Sequence, residues 1–197
     1  MLRKVFCARH LILALGLFAS GCGAMARQGD TGGNRSANES WKNIKQAVAV
    51  VHPTTGHHAG GIVRFSEGSD GKVKVVADLD GLAPNQQHGF HIHQFGDCSA
   101  TDAASAGDHY NPAGSPHALP SGTPRHAGDL GNVQADANGK AHYEITVETI
   151  SIAGTRNPII GRAIIVHEKP DTGAQPSGNA GARAGCGVIG IANATSQ

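Results

Sequence analysis

Aromatic residues are scarce and neither sign of charge dominates. The 197 residues include one Trp, two Tyr and five Phe, and 16 Lys plus Arg stand against 15 Asp plus Glu. A balance that even gives no global-charge argument for nucleic-acid binding. Beyond the N-terminus no apolar pattern reaches helix length, and no segment repeats. Those absences speak against helical and repeat architectures. What the chain has in quantity is Gly, at 28 residues, and an unusual 12 His. Short alternating apolar runs set between Gly-rich turns read as an all-β domain.

The N-terminus reads as an address. Arg3, Lys4 and Arg9 form a basic segment, and residues 11–19 are apolar but too short to span a bilayer comfortably. Ala19-Ser20-Gly21-Cys22 resembles a bacterial lipobox, with Ala19 where Leu is more usual. The expectation is a signal peptide over 1–21, lipidation at Cys22, a Gly-, Asn- and Ser-rich tether over 22–40 and one domain over 41–197. Ordinary secretory cleavage nearby is the alternative, and either one exports the domain to the periplasm or cell envelope. Loss of Arg3, Lys4 and Arg9 would leave 13 basic against 15 acidic residues, a net charge of −2.

Export also frames the four cysteines. Cys7 would leave with the signal and Cys22 would be lipidated or lost, so Cys98 and Cys186 remain. An even pair in an oxidising compartment predicts a disulfide, with two buried free thiols as the alternative. Closing so long a loop would stabilise by about 2–5 kcal/mol.

Apolar alternation predicts strands over residues 44–51, 61–66, 72–79, 89–95, 131–134, 140–148, 159–167 and 187–192. The Asp136-Ala137-Asn138-Gly139 turn predicts a hairpin between the fifth and sixth. Eight strands at turn spacing give an eight-stranded β-sandwich or barrel.

Residues 107–129, GDHYNPAGSPHALPSGTPRHAGD, hold His109, His117, His126 and Asp129. With few long apolar residues this is a long loop, and a long loop needs a reason to stay ordered. Zinc, which accepts imidazole and carboxylate donors, is one reason. Any single loop histidine is by default a solvated one. The set gains weight from its neighbours. Strand alternation puts His91 and His93 on one face, and His167 ends a strand on the face of Ala163 and Ile165. Six His and one Asp exceed the needs of one tetrahedral ion and suit two metals.

The motifs Gly89-Phe90-His91-Ile92-His93, residues 125–133 (RHAGDLGNV), residues 161–169 and residues 178–192 (GNAGARAGCGVIGIA) resemble the copper–zinc superoxide dismutase family. The resemblance runs in order over roughly residues 43–193. It implies the Greek-key β-sandwich already known for that family. It implies copper on His91, His93, His109 and His167, and zinc on His109, His117, His126 and Asp129, with His109 bridging. Asp171 is implied to join His91 to His117, Arg183 to orient superoxide beside copper, and Cys98–Cys186 to be the intrasubunit disulfide. The implied activity is dismutation of superoxide to O2 and hydrogen peroxide. Copper would cycle between oxidation states while His109 takes up and returns a proton.

Several features depart from the pattern. The loop over 168–182 is short, carries Pro170 and Pro176, and lacks the acid-and-lysine cluster with which many eukaryotic members guide superoxide. Cys98 follows His93 closely, as in bacterial members, yet Ile160-Gly161-Arg162 and residues 188–191 resemble the eukaryotic dimer surface. A homodimer is therefore one expectation, and the subunit geometry stays open. His52, His57 and His58 match no ligand and read as a solvated turn, with copper recruitment as the alternative; His88 and His142 receive no role. Two other function classes remain: a copper-delivery module, and a structural zinc protein with a vacant copper site. A complete bridge together with Asp171 and Arg183 argues against mere storage.

Overall fold

The computed structural model describes residues 43–193. The leader, the tether and Cys22 lie outside the described residues. Among the described residues nine strands form: β1 Gln46–Pro53, β2 Gly60–Glu67, β3 Val73–Asp80, β4 Gln87–His93, β5 Asp129–Gln134, β6 Ala141–Val147, β7 Ala163–His167, β8 Arg183–Val188 and β9 Gly190–Ile191. Among the described residues the single helical element is a 3-10 turn at Ala104–Ala106.

The neighbour order is β5-β4-β7-β8-β1-β2-β3-β6, with β9 pairing β1. All of these pairings are antiparallel. Eight strands thus curl into a nearly closed barrel with Greek-key crossovers between β3 and β4 and between β6 and β7.

Residue alternation builds the barrel wall. In β3, Val73, Val75, Ala77 and Leu79 are buried while Lys74, Asp78 and Asp80 are exposed. β4 and β7 differ, being buried on both faces. Phe90, Ile92, Ile164 and Val166 enter the main core. The opposite face of β7 carries Ala163 and Ile165, which pack with Ala103, Ala106 and Cys186 beneath a covering loop. His91 and His93 occupy the same outer face of β4. The strand histidines therefore sit outside the barrel wall, under loops, sharing a face as alternation predicted.

Three strand expectations need correction. The Asp136–Gly139 turn forms, with Gly139 N donating to Asp136 O at 3.1 Å, but no hairpin ladder follows. β5 pairs with β4 and β6 with β3, so β5 and β6 are the two ends of the sheet order. Tyr143 Oη bridges the seam by donating to Leu130 O at 2.7 Å. Residues 159–162 form a turn rather than the start of β7, with Gly161 at φ 80° and Arg162 N donating to Ile159 O at 3.1 Å. The last predicted strand begins earlier, at Arg183, and breaks at Ile189.

Candidate metal centre

Ligating atoms of His91, His93, His109 and His167 lie within 4.8 Å of one another, and so do those of His109, His117, His126 and Asp129. All are buried. β4 supplies His91 and His93, β7 ends on His167, and β5 begins on Asp129. His91 stands opposite Asp129 in the β4–β5 register, beside a bulge that follows Gly89. A side chain at Gly89 would collide with Ala180 Cβ at 2.8 Å and crowd His91 and His167, so this position has to be glycine.

The loop over residues 107–129 is better anchored than its composition suggested. Tyr110 N donates to Ile92 O at 2.8 Å, Ile92 N to Gly128 O at 2.9 Å, and Gly128 N to Tyr110 O at 2.9 Å. The Arg162 guanidinium lies 3.4 Å over the Tyr110 ring. Asp129 Oδ2 accepts from His126 N at 3.1 Å and Ala118 N at 3.2 Å. Order at both ends of the loop thus comes from backbone pairing with β4, which the sequence reading did not include. The middle is left to the metal donors and to the bonds that Gln175 and Asp171 make to His117.

Outer hydrogen bonds fix which ring nitrogen faces inward. His93 Nδ1 donates to Gly107 O at 2.9 Å, and His167 Nδ1 lies 3.3 Å from Gly181 O, leaving the Nε2 atoms of both, 3.4 Å apart, to converge. Asp171 accepts from His91 Nε2 at 2.8 Å and from His117 Nε2 at 2.9 Å, one carboxylate oxygen each. Their Nδ1 atoms are then unprotonated and point inward, and both are buried without a hydrogen-bond partner. His117 Nδ1 is 3.0 Å from Asp129 Oδ2 at an angle that makes no hydrogen bond. Orphaned lone pairs that converge with a carboxylate are what a metal ion satisfies. The Nδ1 atoms of His109 and His126 lie 2.9 and 3.2 Å from Asp129 Oδ1. This second set is therefore three imidazoles and a carboxylate, the donor chemistry of zinc. The first set is four imidazoles, which suits copper.

Electrostatics agree. Burial pushes the His91 pKa down to about 4 and the His167 pKa down to about 3, and it holds His93 well below its ordinary value. These three imidazoles are neutral near pH 7, the state that metal binding requires. Burial raises Asp171, but the His91 and His117 hydrogen bonds outweigh it, so its carboxyl stays well below the usual range. Asp129 is lowered in the same way, burial being overcome by His109 and the Ala118 amide.

Arg183 starts β8 beside the first set. Its guanidinium donates to Ala103 O and, at 2.6 Å, to Gly107 O, the carbonyl that also holds His93. Burial lowers its pKa, opposed by Asp108 and Asp102, and a guanidinium keeps its charge regardless. Thr54 Oγ1 donates to Arg183 O at 2.5 Å, a contact no sequence signal announced. The disulfide Cys98–Cys186 is formed, with sulfurs 2.03 Å apart and the partners 88 positions apart in the chain.

Among the described residues His52, His57 and His58 join no such donor group. His52 is exposed on β1 opposite Cys186, and His58 is exposed in the turn. His88 is buried, with Nδ1 2.8 Å from His167 O, so it holds the backbone of a ligand-type residue. His142 pairs with Asp78 at 2.7 Å on the barrel exterior.

Residues 59–189 match the family model described as copper/zinc superoxide dismutase. The chain belongs to this family. A Cu-Zn superoxide dismutase of Paramecium bursaria Chlorella virus 1 is 44% identical over 162 residues, covering 79% of this chain and 84% of the viral protein. The crystal structure of the clock protein EA4 is similar with a TM-score of 0.68 at 39% identity, covering 75% of this chain and 95% of that one. The activity of this superoxide dismutase is disproportionation of superoxide, and its metals are copper and zinc.

Proposed function

We propose that His91, His93, His109 and His167 hold copper and that His109, His117, His126 and Asp129 hold zinc. The observation that carries this is the pair of buried four-donor sets sharing His109. When bound, copper supplies alternate one-electron acceptance and donation, and zinc a fixed positive charge.

The chain's own residues supply binding, orientation and protons. Two superoxide anions and two protons give O2 and hydrogen peroxide, so protons are needed in only one half of the cycle. His109 turns Nδ1 toward Asp129 and the zinc set, which leaves Nε2 for the copper set. A proton held at Nε2 in one half of the cycle is delivered to the peroxide product in the other, and solvent provides the second. Arg183 binds and orients the anion. Ala103 O and Gly107 O occupy part of its fork of five N–H donors without neutralising it, which leaves donors for the anion's oxygen. Asp171 keeps His91 and His117 in fixed tautomers. In His167→Ala, copper and dismutation should be lost while zinc, the disulfide and the fold are kept. Full activity in that variant would remove His167 from the copper set.

The setting proposed is the cell envelope. A basic then apolar leader, the small residues before Cys22 and a disulfide that needs an oxidising compartment support export and lipid anchoring at Cys22. There the enzyme would protect the envelope from extracytoplasmic superoxide. Cys22→Ala protein should be released or left unprocessed; membrane retention identical to the parent would overturn the anchor. A homodimer is supported by the exposed apolar side chains Val50, Val188, Ile191 and Phe95, of which Val50 and Val188 line one groove. Sedimentation of the purified domain tests it, and Val188→Lys should shift a dimer to monomer.

A further inference from the structure

The loop over residues 168–182 is where this chain departs most from the family pattern. Near its middle it presents Gln175, whose side-chain amide meets the backbone of His117 at both ends. Gln175 Nε2 donates to His117 O at 2.6 Å, and Gln175 Oε1 accepts from His117 N at 3.1 Å. The pair imitates a β-bridge, with a side-chain amide in place of a neighbouring strand. One such bond is ordinary for an exposed glutamine. Both, to one residue, fix the position of that residue's peptide groups.

The same loop grips the His117 ring. Asp171 Oδ1 accepts from His117 Nε2 at 2.9 Å and from Gly173 N at 2.8 Å. Thr172 N and Oγ1 donate to Gly178 O at 2.9 and 3.0 Å, which closes the loop on itself. Gly178, at φ 81°, fits against this bridge with no room to spare. An added Cβ would lie 2.1 Å from Asp171 Oδ1 and 3.0 Å from His117 Nε2. His117 itself lies in a stretch without secondary structure, so its pose depends on outside restraints. The side chains of His117 and Asp129 are fully buried, whereas His109 and His126 show 5% and 9% of theirs to solvent. Those two exposed edges line a cleft of about 420 Å³ that Gln175 also lines.

We infer that Gln175 is a positioning residue for the zinc set, holding His117 in its ligating pose through the backbone and so slowing loss of zinc through this cleft. The inference rests on the assignment of zinc to His109, His117, His126 and Asp129. The short loop then does a structural job in this chain, as a clasp on the zinc loop.

The test is zinc transfer from the copper- and zinc-loaded protein to a chromogenic chelator, followed as rate and as competition affinity. Outer partners of metal ligands typically change affinity by 10–100-fold, so Gln175→Ala should release zinc at least ~10-fold faster. Gln175→Glu keeps the side-chain volume but replaces the Nε2 donor with an oxygen facing His117 O, and it should release zinc at least as fast as Gln175→Ala. Gln94→Ala, which opens the same cleft without touching His117, should behave as the parent. Cobalt(II) in the zinc set should show shifted d–d bands in both Gln175 variants and not in Gln94→Ala. Parent-like zinc release from Gln175→Glu would overturn the clasp, as would equal acceleration by Gln94→Ala. Should Gln175→Ala fold poorly, the near-isosteric Gln175→Glu still decides. Parent protein that takes up no zinc, or Asp129→Ala that keeps it unchanged, would instead sink the zinc assignment and the clasp with it.

Discussion

Asp171 shows how much one side chain decides. Each of its oxygens accepts an N–H, one from a histidine of each set. In Asp171→Asn one acceptor becomes an NH2 that faces an imidazole N–H, so at least one ring must turn or change tautomer. Both metals should then bind about 10–100-fold more weakly while the barrel still folds, as competition titrations would read. A loss confined to one set would contradict the shared role. The buried histidines also set the acid response of the metal-free domain. Their folded pKa values, about 4 for His91 and about 3 for His167, lie below an unfolded value of ~6.5. Between those limits the unfolded chain binds more protons. The stability is therefore fully present above ~6.5 and is lost as pH falls toward 4 and then 3. Exposed His142 has the opposite sign, its pKa being raised by Asp78, but solvent screens it. Thermal melts of the metal-free domain should thus fall steadily below ~6.5, and a melting temperature flat from 7 to 4 would refute the neutral-imidazole account.

Among the elements, the zinc loop and the barrel seam carry separate expectations. Zinc removal should lose amide protection at residues 113–123, while Tyr110 and Gly128, bonded to β4, stay protected. Equal protection with and without zinc would mean that packing alone orders the loop. At the seam, Tyr143→Phe removes the bond to Leu130 and should cost about 0.5–1.5 kcal/mol of stability without changing metal content. A loss of zinc in that variant would show that the seam and the centre are coupled. The sequence made much of this legible, because strand alternation has a physical period of two residues. That period alone could put His91 and His93 on one face of their strand and His167 on the face of Ala163 and Ile165; that these faces lie outside the main core was not legible. Their grouping with the loop donors came from long ordered motifs. What stayed hidden depended on partners distant in the chain. The Asp136–Gly139 turn is locally a hairpin turn, and only the choice of β4 and β3 as partners denies it a ladder. Gln175, Thr54 and His88 carry no local signal, since an amide, a hydroxyl or an imidazole is informative only once its acceptor is placed.

At the scale of the described domain, the barrel is a wall and the chemistry is mounted on its outside. β4 and β7 pack apolar side chains inward and histidines outward, and the loops that cover those histidines are tied down by Cys98–Cys186 and by Asp171. This arrangement lets the metals leave without emptying the core, so a metal-free barrel should persist as a folded, less stable species. On the proposed assignment, two buried sets sharing His109 form one copper–zinc centre that dismutes superoxide. Counting copper and zinc per chain in the purified domain, alongside its superoxide dismutation before and after selective copper removal, tests it most directly. The domain should hold one copper and one zinc per chain, with activity that disappears with copper and returns on its restoration. A domain holding both metals in that ratio yet without dismutation, or dismutation that survives copper removal, would contradict it.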